Sequence, residues 1–515
     1  MKRSALLSFL LALSLLAGCQ AAPPAEAPQD RRSVTVVMGP TSEPEAGFDP
    51  IHGWGAGEHV HEPLIQSTLT VTNPDLTIGY DLATDMRVSE DGLAWTVTIR
   101  EGVKFTDGNA LTASDVAFTY NAARDGSSVN DFTMLNRAEA TDDTTVIFHM
   151  NRPFSIWPYT MATLGIVPED SYDPETYGSN PVGSGRYLLK QWDQGQQVIL
   201  EANPDYYGEK PKMERVNILF MEEDAAFLAV QAGQADLAYT SVPYSDQTVD
   251  GYSLLSVRTV DNRGINLPVT MSSPTMELPV RQAINMGIDR QRMIDNVLDG
   301  YGTPAYSVCD GLPWYSPVNE VAYDPEGARA LLDEWGWPVG PDGIRVRGTS
   351  EMELSLTIYY AAGDSVRQGL AAELANQLKE LGIEADIKGV GWDTAYEDAQ
   401  FNPLVWGWGA HTPMELYNIY HTDDPDGYSA RYSPYASPAA DELMDAALAC
   451  PDLEESYALW RQAQEKIAAD VPWVWLVNVD HLYWVRDGLA VAEQKIHPHG
   501  HGWSIVNNVD QWSWE

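Results

Sequence analysis

Histidines are the side chains of this chain best suited to bind a metal ion, and nine of the ten fall in three clusters. The clusters are His52, His59 and His61; His411 and His421; and His481, His497, His499 and His501. Imidazole nitrogen is a good ligand for nickel, zinc and copper, so clustering favours a transition-metal role. On this ground His52 and His59 are candidate ligands.

The C-terminal cluster has a second interpretation. In an extended chain, histidines two positions apart are too far apart to share one ion. Gly500 and Gly502 allow the bend that sharing would need, so metal binding and a structural loop both stay open for His497, His499 and His501.

The stretch from Leu404 to His421 is unusually aromatic for its length. Trp406 and Trp408 alternate as in a β-strand, so the intervening and following glycines face the other way and allow a neighbouring backbone to come close. A strand that ends in a glycine-rich bend before a helix is a common ligand-binding position in α/β proteins. Taken alone, the stretch fits the core of a domain more simply than a binding site.

Several kinds of catalytic chemistry are missing from the sequence. No Gly-Lys dipeptide occurs, so the chain has no phosphate-binding loop for ATP hydrolysis. The chain also lacks HExxH, CxxC and GxSxG motifs, which excludes the common metallopeptidase, redox and hydrolase signatures. We therefore expect a binding protein without a resident cofactor rather than an enzyme.

Length and charge limit the fold and the partners. With 515 residues and 44% hydrophobic composition, the chain can form two or three domains. It has 74 acidic and 31 basic residues, which gives a net charge of −43. Such a chain repels nucleic acid and anionic membrane, and the acidity is explained most simply by solubility or adaptation to salt.

The N-terminus predicts export. Lys2 and Arg3 precede an apolar run from Ala5 to Ala17, which suits a secretory signal peptide at residues 1–18. The run ends in Leu-Ala-Gly-Cys19, which resembles a bacterial lipobox with Cys19 as the lipidated residue; an ordinary signal cleaved elsewhere is the alternative. Residues 19–33 are rich in Ala, Pro and charge and predict a flexible tether. We expect a lipid-anchored protein at the outer face of the cell membrane or in the periplasm.

Two further cysteines lie in the folded part of the chain. Cys309 and Cys450 could form one disulfide in an oxidising compartment. Two separate buried thiols are the alternative, since the sequence gives no distance between them.

Strand and helix patterns alternate along the chain. Trp95, Val97 and Ile99 alternate with polar residues as in a half-buried strand, and a helix is predicted from Thr112 with a hydroxyl cap. The pattern predicts further elements: a strand at Val34–Val37, a helix at Glu326–Trp335 after Tyr323-Asp324-Pro325, a short helical turn after Pro413, a helix stopped by Gly382 with a following strand over Ala371–Ile387, a helix at Leu453–Asp470 and a strand at Val471–Val479.

Several motifs occur in the order found in one family. Glu101–Gly108, EGVKFTDG, with the strand before it and the helix start Thr112–Val116 after it, resembles the signature of the family 5 extracellular solute-binding proteins. Pro181–Tyr187, PVGSGRY, followed by Asn203–Gly208, NPDYYG, is similar to a second landmark, and Val280–Asp299 resembles the family's helix pair, in which Asp289 caps the second helix. The resemblance extends from Val34 to the C-terminus.

The resemblance implies a fold and a mechanism. It implies an α/β, periplasmic-binding-protein-like fold with two lobes (type II) in the three-domain variant of this family. Domain I would comprise residues 34–63, 178–262 and 485–515; domain II residues 64–177; and domain III residues 263–484. Such proteins are monomers that close about a hinge on small-molecule cargo and deliver it to ABC permease subunits served by separate ATPase subunits.

The resemblance also implies binding residues. Peptide-binding members carry an aspartate for the peptide α-amine where this chain has His411, and a neutral imidazole pairs with an ammonium less well than a carboxylate does. Nickel-chelate binders carry a Trp, a Tyr and a metal-contacting His that Trp392, Tyr396 and His411 resemble in order and approximate spacing. Their chelator-binding arginine has no counterpart in Pro153–Pro168. The predicted substrate-binding residues are Trp54, Trp392, Tyr396, Trp406, Trp408 and His411, with His411 also a candidate metal ligand.

Three functions remain open. The first is capture of nickel or a related metal as a chelate, and the second is capture of a di- or oligopeptide by the same fold. The third, from a different class, is a secreted metal-dependent hydrolase that uses the histidine clusters.

Overall fold

The structure, a computed structural model, describes residues 31–45, 47–52, 55–56, 59–126, 132–348, 352–422, 434–500 and 502–515, with the backbone alone at 55–56 and 59–60. The signal peptide, Cys19, most of the tether, Trp54 and His501 lie outside the described residues.

The strands follow the chain in this order: β1 (Ser33–Met38), β2 (Gly55–Ala56), β3 (His59–Val60), β4 (Thr70–Thr72), β5 (Ile78–Tyr80), β6 (Ala83–Val88), β7 (Ala94–Ile99), β8 (Leu135–Ala140), β9 (Thr145–Met150), β10 (Tyr187–Asp193), β11 (Gln197–Ala202), β12 (Arg215–Phe220), β13 (Leu237–Thr240), β14 (Tyr252–Val257), β15 (Asn262–Asn266), β16 (Gly302–Pro304), β17 (Val346–Arg347), β18 (Met352–Glu353), β19 (Ser355–Ala361), β20 (Glu384–Val390), β21 (Val405–Trp408), β22 (Trp473–Val479), β23 (His481–Arg486), β24 (Leu489–Ala490) and β25 (Ser513–Trp514).

The α-helices are α1 (Ala113–Gly126), α2 (Trp157–Met161), α3 (Glu223–Gln231), α4 (Leu278–Met286), α5 (Arg290–Val297), α6 (Pro325–Glu334), α7 (Ser365–Glu380), α8 (Trp392–Asp398), α9 (Met414–Tyr420), α10 (Pro438–Ala449) and α11 (Leu453–Asp470). Short 3₁₀ segments lie at Pro40–Ser42, Val242–Tyr244, Pro274–Met276, Pro317–Asn319 and Trp503–Gln511.

A seven-stranded mixed sheet forms the first domain. Its strand order is β10-β11-β12-β1-β13-β23-β14, so strands from the beginning, the middle and the end of the chain lie side by side. β1 runs parallel to β12 and β13, and β23 runs antiparallel to β13 and β14. Its strands come from residues 33–38, 187–257 and 481–486.

The middle domain is built on an antiparallel sheet of order β6-β7-β9-β8. On β7, Trp95, Val97 and Ile99 are buried, as the alternating pattern predicted. Helix α1 follows at Ala113, where the Thr112 hydroxyl and backbone N–H both donate to Oδ2 of Asp115. The Asp115 carboxylate, rather than the predicted Thr112 hydroxyl, is therefore the hydrogen-bond acceptor at the start of this helix.

The third domain contains the sheet β16-β22-β15-β21 and the parallel pair β19-β20. Several of its helices begin or end close to the predicted positions, although α7 begins at Ser365, before the predicted Ala371. The Asp289 carboxylate accepts the Arg292 N–H at the start of α5 at 3.0 Å, and Asp324 caps α6 in the same way. Helix α7 ends just before Gly382, whose φ of +81° is readily adopted only by glycine.

Two short crossovers join the first and third domains. The chain leaves the seven-stranded sheet after β14 and enters the other sheet at β15 through residues 258–261, and it returns between β22 and β23 at Asp480. The expected boundary at 262/263 lies one residue from the first crossover. The expected boundary at 484/485 falls inside β23, which belongs to the first domain's sheet from His481 onward.

The middle and third domains also contact each other directly. The Ser155 backbone N–H donates to the Leu448 carbonyl at 2.8 Å, and the hydroxyls of Tyr159 and Tyr457 are hydrogen bonded. A buried cluster of apolar side chains runs continuously through this contact. The mixed α/β class is confirmed.

Candidate functional site

A cavity of about 360 Å³ lies in the cleft where all three domains meet. Its walls include Met134, Phe154, Tyr159 and Thr163 from the middle domain; His411, Met414, Glu415 and Asn418 from the third domain; and His61, Glu62, Lys495, His499 and Asn507 from the first. Apolar walls with a few convergent polar groups are typical of small-molecule sites.

A second cavity, of about 280 Å³, adjoins the first between the first and middle domains. The two share Glu62, Thr72, Lys495, Ser504 and Asn507 as lining residues. The cleft therefore consists of two compartments with a common wall, and we call these five residues the shared wall.

The bend after β21 brings His411 to the first cavity. Gly409 has a φ of +150°, and a Cβ at this position would lie 2.2 Å from the Val260 carbonyl oxygen. The predicted close approach of a neighbouring backbone is confirmed here. The Glu415 carboxylate accepts the N–H groups of Gly409 at 3.1 Å and Ala410 at 2.7 Å. Burial raises the pKa of Glu415 to about 7, although these two hydrogen bonds act in the opposite direction.

His411 itself is held as a neutral imidazole. Burial, reinforced by the positive charge of Lys495, lowers the pKa of His411 to about 3. The backbone of Ile496 acts in the opposite direction and does not offset burial. Nε2 is buried and has no hydrogen-bond partner among the described residues. The neutral ring thus has a buried nitrogen that no described protein group satisfies.

The four predicted aromatic residues are brought together, but not as a wall of either cavity. Trp392, Tyr396, Trp406 and Trp408 stack in one column, with successive ring centroids 5.4, 5.6 and 5.1 Å apart. Trp406 is 3% exposed and Trp408 9%, whereas Trp392 at the open end is 38% exposed. None of the four lines either cleft cavity among the described residues. The structure places Trp406 and Trp408 in the core.

Partners from distant parts of the chain fix this column in place. Trp406 Nε1 donates to the Asn266 side chain at 3.0 Å, and Trp408 packs edge-on against Trp473 and Trp475 of β22. Arg367 lies over the ring of Trp392 at 5.4 Å. The column therefore joins β21 to β15 and β22.

The N-terminal histidines occupy different places. His52 Nδ1 lies 3.0 Å from the Asp49 carboxylate, which also accepts the Tyr172 hydroxyl at 2.9 Å. His61 is 4% exposed and lines the first cavity. The side chain of His59 lies outside the described residues. His52 is thus part of a local network outside both cavities, and His61 is the cluster member that reaches the cleft.

Two of the C-terminal histidines, His481 and His499, lie against Asp261 at the first crossover. His499 Nδ1 lies 2.5 Å from Asp261 Oδ1, His481 Nε2 lies 3.5 Å from Oδ2, and Arg263 pairs with the same carboxylate. His497 is fully buried, with Nε2 3.1 Å from the Gln494 side chain. These contacts are those of a structural loop, although His499 also lines the first cavity.

A preformed metal centre is not present in the described part of the chain. No group of three or more His, Cys, Asp or Glu side chains there is arranged to hold an ion. His421 lies apart from His411, stacked on Tyr417 with ring centroids 4.1 Å apart. Any metal at His411 would therefore need most of its ligands from the cargo.

The two described cysteines do not form a disulfide. Cys309 is buried, with Sγ 3.4 Å from Oε1 of Gln464, and Cys450 lies at the end of α10 near Glu455. Burial raises the pKa of the Cys309 thiol. Of the two alternatives, the structure contains separate thiols.

Three cleft residues were missed in the sequence. Glu415 follows Thr412 by three residues, and this is the spacing of a capping box, which marks a turn that polar side chains hold in place. Lys495 directly precedes the histidine-rich tail and is a cation in a strongly acidic chain, a signal that could have drawn attention to it. Its partner Glu62 is 433 positions away, and no local pattern links the two.

No helix in the described residues has both the length and the apolar character needed to cross a membrane.

Comparisons with known proteins identify the family. The model of the bacterial extracellular solute-binding proteins, family 5 Middle, matches residues 77–430. Protein XP55 of Streptomyces lividans is 33% identical over 473 residues, covering 88% of this chain and 85% of that protein. The oligopeptide-binding protein AppA of Bacillus subtilis is 28% identical over 510 residues, covering 93% of this chain and 91% of that protein.

A solved structure agrees on the fold. NikZ from Campylobacter jejuni, in complex with Ni(L-His), superposes with a TM-score of 0.74 at 20% identity, covering 94% of this chain and 99% of that one. The relatives are solute-binding proteins rather than enzymes, and proteins of this family work with ABC permease and ATPase subunits. The chain therefore belongs to the bacterial extracellular solute-binding proteins, family 5, and is the substrate-binding protein of an ABC importer with the two-lobed fold of that family.

Proposed function

We propose that this protein is anchored by a lipid on Cys19 and captures a metal chelate, with nickel as the leading candidate, in the cavity at His411. The closed complex then delivers the chelate to the membrane permease. The signal-like segment before Cys19 and the tether after it support the anchor. The observation that carries the cargo assignment is the state of the His411 ring.

His411 presents a neutral imidazole at the wall of the cavity. Its Nε2 is buried and has no hydrogen-bond partner among the described residues. A buried nitrogen without a partner is unfavourable, so a bound metal would satisfy it. A pKa of about 3 keeps the lone pair available at physiological pH.

The chelator would supply the other ligands. The described residues offer no three-ligand site, whereas an amino-acid chelator brings amine, carboxylate and imidazole donors of its own. The cavity of about 360 Å³ has room for a ligand of that class.

Closure follows from where the cavity lies. Its walls come from both sides of the crossovers at residues 258–261 and Asp480. A ligand that touches both sides favours the closed state by its difference in affinity for the two states. The contacts of Ser155 with Leu448 and of Tyr159 with Tyr457 also join the middle and third domains.

A di- or oligopeptide is the second candidate cargo. The adjoining cavity of about 280 Å³ extends the cleft beyond what a compact chelate needs. The relative AppA, with 28% identity over nearly the whole chain, is named as an oligopeptide-binding protein. In this case stacking and backbone contacts would hold the peptide, and His411 would not coordinate a metal.

Calorimetry on the mature protein tests the proposal. We expect binding of Ni²⁺ with L-histidine, and at least about a hundredfold loss of affinity in His411→Ala, because a coordinating ligand is removed. His149→Ala is the matched control, since His149 lies on β9 beside Glu139 and away from the cleft. Equal affinity of His411→Ala and the native protein would overturn the metal site. Mass spectrometry of ligand released from the purified protein separates the two candidates, and a peptide there would favour the second.

A further inference from the structure

Lys495 and Glu62 form an ion pair in the shared wall of the two cavities. The lysine side chain is 11% exposed and the glutamate side chain 21%. Lys495 Nζ also donates to the Thr72 carbonyl oxygen at 3.2 Å. An ammonium group has three donors, so one donor remains beyond these two contacts with described residues.

Lys495 is the cation of the first cavity. Among the described residues that line it, no other Lys or Arg is present, and the remaining charged side chains are Glu62 and Glu415. Its charge acts on His411, where it adds to burial in lowering the pKa of that ring. An ammonium near a metal-binding nitrogen disfavours a bare divalent cation and favours a ligand that carries negative charge.

We propose that Lys495 binds a carboxylate group of the cargo, and that Glu62 occupies the ammonium group until the cargo arrives. The inference rests on the proposed function but applies to both candidate cargoes, because an amino-acid chelator and a peptide each carry a carboxylate. It assigns to Lys495 the contact for which no arginine is present in residues 153–168.

The exchange is physically favourable for a buried pair. A lysine already paired and buried does not have to lose a full hydration shell when a second carboxylate replaces the first. Glu62 is the more exposed partner, so its carboxylate can regain water once displaced. The shared wall lines both compartments, so cargo in either cavity can bring a carboxylate to the Lys495 ammonium group.

Two variants of this ion pair provide the test. A purely structural pair and a cargo contact predict changes of opposite sign in the binding affinity of Glu62→Gln. Lys495→Gln and Glu62→Gln each break the same pair. A structural role predicts that both weaken binding of every probe. A carboxylate contact predicts that Lys495→Gln weakens binding of carboxylate probes, whereas Glu62→Gln strengthens it because the internal competitor is gone.

The probes are matched acids and amides. Calorimetry would compare Ni²⁺ with L-histidine against Ni²⁺ with L-histidinamide, and a mixture of short peptides against the same peptides with C-terminal amides. In the native protein we expect the acid to bind about tenfold or more tightly than the amide, since a charge-assisted hydrogen bond is lost. This preference should disappear in Lys495→Gln, persist in Lys495→Arg and increase in Glu62→Gln.

Each outcome decides something. If Lys495→Gln keeps the preference for acids, or if Glu62→Gln weakens acid binding as much as Lys495→Gln does, the contact is overturned while the proposed function stands. If no probe binds the native protein, the proposed function fails, and this inference with it. If Lys495→Gln does not fold, the sign of the change in Glu62→Gln decides the question.

Discussion

Nδ1 of His499 lies 2.5 Å from Oδ1 of Asp261, and this contact joins the C-terminal tail to a crossover between the two domains. The tail follows the crossover for several residues, since the Val260 N–H donates to the His497 carbonyl and the His497 N–H donates to the Arg258 carbonyl. The same segment carries Lys495 and His499 into the cavity wall. Cleft and hinge therefore share one piece of chain.

Asp261→Asn should strongly destabilise the protein. Burial alone would raise the pKa of Asp261, but Arg263 and His499 outweigh burial and hold it well below its usual value. Removing the carboxylate leaves Arg263 buried without its partner, a change that costs about 3–5 kcal/mol in comparable buried pairs. Urea denaturation measures the loss.

The exposed pair of Asp85 and Arg87 is the control for that measurement. Both side chains are largely in solvent, so Asp85→Asn should leave stability nearly unchanged. A similar small effect for Asp261→Asn would mean that the buried network contributes little.

Glu415→Gln should remove a pH dependence of stability. Burial raises the folded-state pKa of Glu415 from 4.5 to about 7, so the folded protein holds a proton that the unfolded chain has released between these values. The stability that Glu415 contributes is thus complete below pH 4.5 and is lost as the pH rises to 7. The loss of folding stability is up to about 3 kcal/mol. It is absent in the glutamine variant, because the amide does not titrate.

Unfolding free energies of both proteins at pH 4.5, 6 and 8 check this prediction. The contributions of other titrating groups cancel in the difference between the unfolding free energies of the two proteins. As the pH rises, this difference should change in favour of the variant. A difference that stays constant across the three pH values would contradict the raised pKa.

The elements that the sequence predicted correctly have local causes. Asp289 is followed three residues later by an N–H that its carboxylate can reach, and Gly382 supplies the positive φ at which α7 can end. Trp95, Val97 and Ile99 alternate because one face of β7 is buried. Each of these signals lies within a few residues of its effect, so one sequence is enough to detect it.

The parts of the site that the sequence did not reveal depend on long-range contacts. Trp406 and Trp408 were correctly placed on a strand, but whether their face meets cargo or core depends on Trp473 and Trp475, more than sixty residues away. The Glu62–Lys495 pair depends on two segments of the first domain that meet only in the folded protein. Only the bend at Gly409 and His411 could be located in advance, because its glycines and the strand before it are local.

The aromatic column should reveal its role through stability rather than binding. Trp406 is almost fully buried and anchored by Asn266, so Trp406→Ala should lower the free energy of unfolding by about 3–5 kcal/mol. Trp392, at the open end of the same column, is the matched control: Trp392→Ala should cost less than about 1 kcal/mol because the side chain is 38% exposed. Urea denaturation and calorimetry with Ni²⁺ and L-histidine on both variants measure the two effects, and we expect Trp392→Ala to bind like the native protein. A Trp406→Ala variant with native stability but no ligand affinity would instead show that the aromatic column contacts the cargo. In that case the side chain would contribute to binding and not to the packing of the core.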